Sequence, residues 1–331
     1  MSGWGACILG LHGLTLSKEE VQFFQDIRPF GFILFARNID TSDQVRALCA
    51  SLRDAVGYNA PILIDQEGGR VQRLRGPTWR EWQPPFDTVR MTGAHATEAM
   101  YAQYRLIAHE LYDLGIDANC APLLDVARKD THPFLHNRCY SESIDTVCEI
   151  GRAVTNGLMD GGVLPVAKHI PGHGLAKVDS HFDLPVAEQS LNVLRQTDFV
   201  PFKDLNMLPM GMTAHVVYPA LDELPATLSA KVIQVIRNEI GFDGLIMTDD
   251  ISMKALQGDL GELAKHSLDA GCDVVLHCNG ELKEAQLVAE ASEILSENGL
   301  RRARAVLSAR KSPKPVDIPA LEAKLDQLLD G

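Results

Sequence analysis

The sequence predicts an α/β fold, a (β/α)₈ barrel with C-terminal closing helices, and three observations point to it. Eight short apolar runs recur along 331 residues, segments with helical spacing lie between them, and polar residues gather where the runs end. Eight strand–helix alternations imply a parallel sheet, and eight is the number that closes around its own side chains. One domain is therefore expected over 1–331, barrel to about residue 300 and a helical extension over about 301–331, although the length alone would allow about two.

The runs read in order as ACILGLHG at 6–13, FGFILF at 30–35, PILIDQEG at 61–68 and GIDANCAPLLD at 115–125. GVLPVAKHIPGHG at 162–174, LPMGMTAHVV at 208–217, GLIMTDDI at 244–251 and CDVVLHCNG at 272–280 complete the eight. Val45, Leu48 and Leu52 show the spacing of one helical face in the stretch that follows the second run. Ser17 with Glu20, and Thr41 with Gln44, have the spacing of capping boxes, and Thr97 and Ser229 are expected caps further on. RGPTWREWQPPFDTV at 75–89 exceeds what one helix needs and is read as a long βα loop over the barrel mouth. In the tail, RRARAVLSARK and LEAKLDQLLDG are read as one or two closing helices joined through Pro313, Pro315 and Pro319.

Composition excludes several classes. Lys and Arg total 31 against 44 Asp and Glu, a net charge of -13 that repels polyanions, so no nucleic-acid partner is expected. No apolar run approaches the roughly 20 residues that span a bilayer, and MSGWGACILGL lacks the basic start of a signal peptide, so no membrane partner is expected. Seven cysteines without a C-x-x-C pair suit reduced thiols in a bacterial-type cytoplasm. A monomer is expected, since no sustained heptad pattern demands association.

Chemistry collects at the C-terminal ends of the runs, with His12, Asn38, Asp65, Glu67, Asp125, Lys168, His169, His215, Asp249, Asp250 and Asn279. In a barrel these ends converge on one mouth, which is the argument for an enzyme. Strand alternation puts Leu245, Met247 and Asp249 on one side and Ile246, Thr248 and Asp250 on the other, so one of the two aspartates can face the pocket. Two adjacent carboxylates suit a glycosidase nucleophile with a neighbour, or a divalent-metal site. In KHIPGHG at 168–174, Gly172 and Gly174 allow a loop that moves or approaches a ligand closely. Asp179, two residues before His181, can accept a hydrogen bond from one ring nitrogen and raise the basicity of the other. His169, His173 and His181 with a carboxylate are alternatively a zinc set. DQEGGRVQR at 65–73 lacks both nucleotide-loop spacings, whereas its Asp65 and arginines suit sugar hydroxyls, with Arg138 a further donor.

DQEGGRVQR, KHIPGHG, DSH at 179–181 and TDD at 248–250, in that order, closely resemble the family 3 glycoside hydrolases, in particular the single-domain bacterial β-N-acetylglucosaminidases of cell-wall recycling. The resemblance runs from the first strand to about residue 300. It implies a retaining exo-glycosidase that removes terminal, non-reducing N-acetylglucosamine from β-1,4-linked muropeptide fragments, using no metal or organic cofactor. By position it makes Asp249 the nucleophile, His181 the general acid/base and Asp179 its orienting partner. Asp65, Arg73, Arg138, Lys168 and His169 become sugar-binding residues, with Glu67 and Asp250 as supporting members. Leu135 to Tyr140 depart from the family's glycine-containing string, so a different loop geometry is expected around Arg138. A metal-dependent barrel hydrolase and a catalytically silent sugar-binding protein are the competing readings.

Overall fold

The computed structural model describes residues 3–176 and 184–330. Every one of the eight apolar runs contains a strand. The strands are β1 (Gly5–Gly10), β2 (Pro29–Leu34), β3 (Ile62–Ile64), β4 (Gln66–Gly68), β5 (Val71–Gln72), β6 (Ala118–Asn119), β7 (Leu164–Ile170), β8 (Met210–Thr213), β9 (Leu245–Met247) and β10 (Val275–His277). Eight of them form one sheet in the order β10-β1-β2-β3-β6-β7-β8-β9, with parallel pairing throughout. The last seam closes through a single parallel bridge between Met247 and Val274, which makes the sheet a barrel.

Alternation along the strands separates two apolar layers. Ile8, Ile33, Leu63, Met212 and Met247 fill the barrel interior, while Leu9, Phe32 and Ile62 face outward into the helical shell. Ser17 makes a complete capping box with Glu20, each satisfying the other's backbone N–H. Thr41 accepts from Gln44 N, but the Gln44 side chain turns to Asp40 N, so this cap is half a box. Ser229 caps the helix Ala230–Val235 as expected.

Four readings need correction. Thr97 lies inside the helix Ala96–Asp113 and donates to Glu149 instead of capping. DQEG does not continue the third strand: the chain breaks at Asp65, and β4 folds back on β5 in an antiparallel hairpin. Its turn needs positive φ at Gly68 (109°) and Gly69 (59°), which glycine adopts without steric cost. The segment 75–89 is not all loop, since Pro85 opens a helix to Thr92, and none of its residues lines the cavity at the mouth. Pro319 is the second residue of the helix Ile318–Asp330, where its missing N–H costs nothing, and does not belong to the linker.

The tail is two helices. Glu297–Ala309 puts Ala303 and Val306 against residues of the barrel interior. Ile318–Asp330 lies against the helices 85–92 and 96–113, with Leu325 buried and Arg80 paired to Glu322 at 2.8 Å. No helix among the described residues is long and apolar enough to cross a membrane. Because Leu325 is 1 % exposed and does not line the cavity at the mouth, Leu325→Ala is expected to cost about 2–4 kcal/mol of stability. Urea unfolding should register that loss while kcat stays unchanged.

Candidate active site

One cavity opens at the C-terminal ends of the strands, lined by Asp65, Arg73, Arg138, Lys168, His169 and Asp249, with Arg70, His173 and several apolar side chains. All six sequence-predicted residues that the structure describes therefore meet in one place. Asp179 and His181 lie outside the described residues. The other strand-end residues brace loops: Asn38 donates to Leu11 O and Gly13 O, and Asn279 pairs with Glu284.

The hairpin β4–β5 is what brings Asp65 to Arg73. Gln66 Nε2 donates to Leu74 O at 3.0 Å, and the side-chain Oε1 of Gln66 accepts from Arg73 N and Leu74 N at 2.8 and 3.1 Å. With the turn so fixed, Arg73 Nη2 donates to Asp65 Oδ2 at 2.9 Å and Lys168 Nζ donates to Asp65 Oδ1 at 2.9 Å. Lys168 also meets Glu67 Oε1 at 2.5 Å. Arg138 grips Glu67 with two bonds of 2.9 Å, from Nε and Nη2. The result is a continuous alternation of charge, Arg73, Asp65, Lys168, Glu67, Arg138. Glu67 is thus the member that ties two predicted sugar-binding cations together, a role that its position in the motif gave only as supporting.

Burial opposes the charged form of each of these groups, and the pairing overcomes it. Lys168 and Arg73 hold Asp65 well below the usual carboxylate range against its desolvation, and Arg138 with Lys168 hold Glu67 at about 2 against the same penalty. Lys168 is in turn held above its ordinary value by Asp65 and Glu67 although burial pulls it down.

Consecutive strand residues should point to opposite faces, yet Lys168 and His169 both line the cavity. The β7–β8 register slips between Lys168 and Ile170, and this irregularity lets both side chains in. Asp125 then sets the histidine: its carboxylate accepts from His169 Nδ1–H at 2.7 Å and from the backbone N–H groups of His169 and His173 at 3.2 and 2.6 Å. That bond fixes the His169 tautomer and ring. Sequence reasoning placed Asp125 at a strand end without a role, and that placement was the signal it offered.

Asp249 follows β9 and lines the cavity, while Asp250 turns away to accept from Ser252 Oγ at 2.8 and 2.9 Å and from Cys278 N at 3.2 Å. The alternation that separated the two aspartates holds. His215 Nε2–H donates to Asp250 O at 3.0 Å and bonds Thr227 through Nδ1 at 2.7 Å, which braces this strand end. Burial raises Asp249 toward neutrality, but the positive fields of His169 and His215 and the N–H of Asp250 bring it below its ordinary value. It is ionised near neutral pH.

Asp125, His169 and His173 are the one group among the described residues whose ligand atoms all lie within 4.8 Å of one another. Two histidines of the expected zinc set, His169 and His173, thus stand together with Asp125 as the carboxylate, while His181 lies outside the described residues. The Asp125 carboxylate already receives three N–H bonds.

An eight-stranded parallel barrel with an ionised carboxylate beside paired cations at its C-terminal mouth defines a barrel enzyme. Comparison with known proteins narrows the class. Residues 9–309 match the glycosyl hydrolase family 3 N terminal domain. A β-hexosaminidase of Alkalilimnicola ehrlichii is 37% identical over 282 residues, covering 83% of this chain and 81% of that protein. One from Xylella fastidiosa is 38% identical over 296 residues, 86% of each chain. The crystal structure of NagZ from Neisseria gonorrhoeae in complex with N-trifluoroacetyl-D-glucosamine superposes with a TM-score of 0.86 at 29% identity, over 99% of this chain and 98% of that one. The chain belongs to glycoside hydrolase family 3.

Glu67 supplies the test of the charge chain. Glu67→Gln leaves Lys168 with Asp65 as its one bonded carboxylate and Arg138 with none among the described residues, and is expected to cost about 3–5 kcal/mol. Because the folded Glu67 titrates below its unfolded value, its stabilisation is present above about pH 5 and is lost as pH falls toward about 2. Urea unfolding across that window should show a steeper acid loss in the parent than in Glu67→Gln.

Proposed function

We propose that this protein is a retaining exo-β-N-acetylglucosaminidase, releasing terminal, non-reducing N-acetylglucosamine from β-1,4-linked muropeptide fragments, typically those ending in anhydro-N-acetylmuramic acid, during cell-wall recycling. The observation that carries this reading is Asp249, an ionised carboxylate in a cavity whose other lining carboxylate, Asp65, is bound up with cations. An anion at that point, bonded by no cation among the described residues, can attack an anomeric carbon and stabilise the positive charge that develops there. The match to β-hexosaminidases over most of their length supports the same sugar. The cavity, about 170 Å³, is smaller than the roughly 300–1,000 Å³ of a drug-sized cleft, which favours one sugar ring over a bound chain.

In this reading Asp65, Arg73, Arg138, Lys168 and His169 hold the sugar through hydrogen bonds of fixed direction. Asp249 displaces the aglycone while His181, oriented by Asp179, gives a proton to the departing oxygen. The glycosyl ester is then hydrolysed by water that His181 deprotonates, and the β configuration returns. His181 with Asp179 replaces the second carboxylate that most retaining glycosidases use. The enzyme works as a cytoplasmic, single-domain monomer without metal or organic cofactor. Seven free cysteines, all buried, suit that compartment.

The test follows nitrophenol release from p-nitrophenyl β-N-acetylglucosaminide and the matching glucoside. Selective release from the N-acetyl sugar is expected, with kcat lowered at least about 10⁴-fold by Asp249→Ala and about 10²–10⁴-fold by His181→Ala. Release of both sugars at equal rates, or an active Asp249→Ala, overturns the reading. EDTA dialysis is expected to leave kcat unchanged, and loss of activity restored by zinc would instead favour a metal-dependent hydrolase through Asp125, His169 and His173.

A further inference from the structure

His173 is a cavity residue to which the mechanism gives no task. Its ring is 4 % exposed, lines the cavity with Asp249 and His169, and stands edge-on to the His169 ring with centroids 5.3 Å apart. Among the described residues, the other polar side chains of the lining each have a protein partner. Neither Nδ1 nor Nε2 of His173 has one.

The main chain fixes where this ring sits. His173 N–H donates to Asp125 Oδ1 at 2.6 Å, and Gly172 O accepts from Tyr218 Oη at 2.5 Å. Gly174 lies so close to Val126 that a Cβ there would stand 1.9 Å from the Val126 carbonyl oxygen. Backbone anchored on both sides keeps the imidazole in the cavity wall. Burial, with His169 beside it, lowers its pKa to about 3, so it is uncharged at neutral pH. An uncharged imidazole offers one N–H and one lone pair, and buried groups of this kind are nearly always hydrogen-bonded.

We propose that His173 hydrogen-bonds the acetamido group of the sugar seated against Asp249, and that this bond favours N-acetylglucosaminides over glucosides. The proposal rests on the reading of Asp249 as the residue that attacks the anomeric carbon. Ring hydroxyls find charged partners in Asp65, Arg73 and Lys168, whereas an amide is a neutral group that an uncharged imidazole complements, by donating to its C=O or accepting from its N–H. The acetamido group is carried on the carbon next to the one attacked, and His173 shares the field of the Asp249 carboxylate. A site built to hydrogen-bond one substituent discriminates against the analogue lacking it, because its own polar atoms are then left unpaired.

The experiment measures kcat/KM on p-nitrophenyl β-N-acetylglucosaminide and on the glucoside for the parent, His173→Ala and His173→Gln. His173→Ala is expected to lose about 10- to 100-fold on the N-acetyl substrate and less than about threefold on the glucoside, so that the ratio between them falls at least tenfold. His173→Gln, which keeps a neutral donor and acceptor, is expected to recover part of the ratio. Where glucoside turnover is too slow to follow, competitive inhibition by N-acetylglucosamine and by glucose gives the same comparison. Equal losses on both sugars indicate a structural role and overturn the proposal, as does an unchanged ratio. Should His173→Ala not fold, the Gln variant reads the same ratio with a smaller expected fall, and an unchanged ratio there also overturns the proposal. A parent enzyme that prefers the glucoside overturns the underlying reading before any variant is made, which keeps the two failures distinct.

Discussion

Five ionised side chains held together where water is scarce are the constraint on which the site depends. Arg73, Asp65, Lys168, Glu67 and Arg138 alternate in sign along one line of contacts. Each buried ion costs several kcal/mol to desolvate, and attraction recovers this only when every partner is in place. The five are therefore kept as a unit or lost as one. Three stretches distant in sequence, 65–73, Arg138 and Lys168, must then arrive at fixed separations. The hairpin β4–β5 serves this end, for without its turn at Gly68 and Gly69 Arg73 would not come back over Asp65.

A second layer of contacts does for the histidines what ion pairing does for the charged chain. The Asp125 carboxylate collects three N–H groups from His169 and His173, and so couples the end of β7 to the loop that follows it. Gly172 has φ 137°, closed to other residues, and Gly174 is pressed on Val126. The sequence reads these glycines as giving the loop freedom or closeness to a ligand. In the structure both let the chain press on the protein itself, Gly172 on Asp198 and Gly174 on Val126, while His173 between them lines the cavity.

Barrel and mouth were legible because both follow from short-range patterns. Eight apolar runs give eight strands, and alternation alone separates Asp249 from Asp250. What escaped depends on contacts between distant residues. The run at 61–68 looks continuous, since nothing local says that the chain breaks at Asp65 to form a hairpin. The register slip that turns both Lys168 and His169 inward is a property of two neighbouring strands and leaves no mark in either. Thr97 has the right residue type for a cap, but the helix begins one residue earlier, at Ala96. Glu67 and Asp125 could be placed at strand ends, yet their work of holding cations and histidines emerges only once the partners are brought to them.

Pairing also sets Asp249 apart from Asp65 and Glu67, the two carboxylates of the charge chain. Lys168, Arg73 and Arg138 carry three positive charges against Asp65, Glu67 and Asp249, so the cluster is close to neutral as a whole. Within it the compensation is uneven. Asp65 and Glu67 each accept directly from two cationic side chains, which neutralise their charge while Asp65 keeps acceptor positions open. Asp249 accepts at short range from the N–H of Asp250, while His169, His215 and Lys168 act on it as a field. That field keeps Asp249 ionised without occupying it, which is the state a nucleophile needs. A cation bonded directly to Asp249 would lower its pKa further but would also block the attack. In the proposed reaction, binding falls to the paired Asp65 and attack to the carboxylate held charged from a distance.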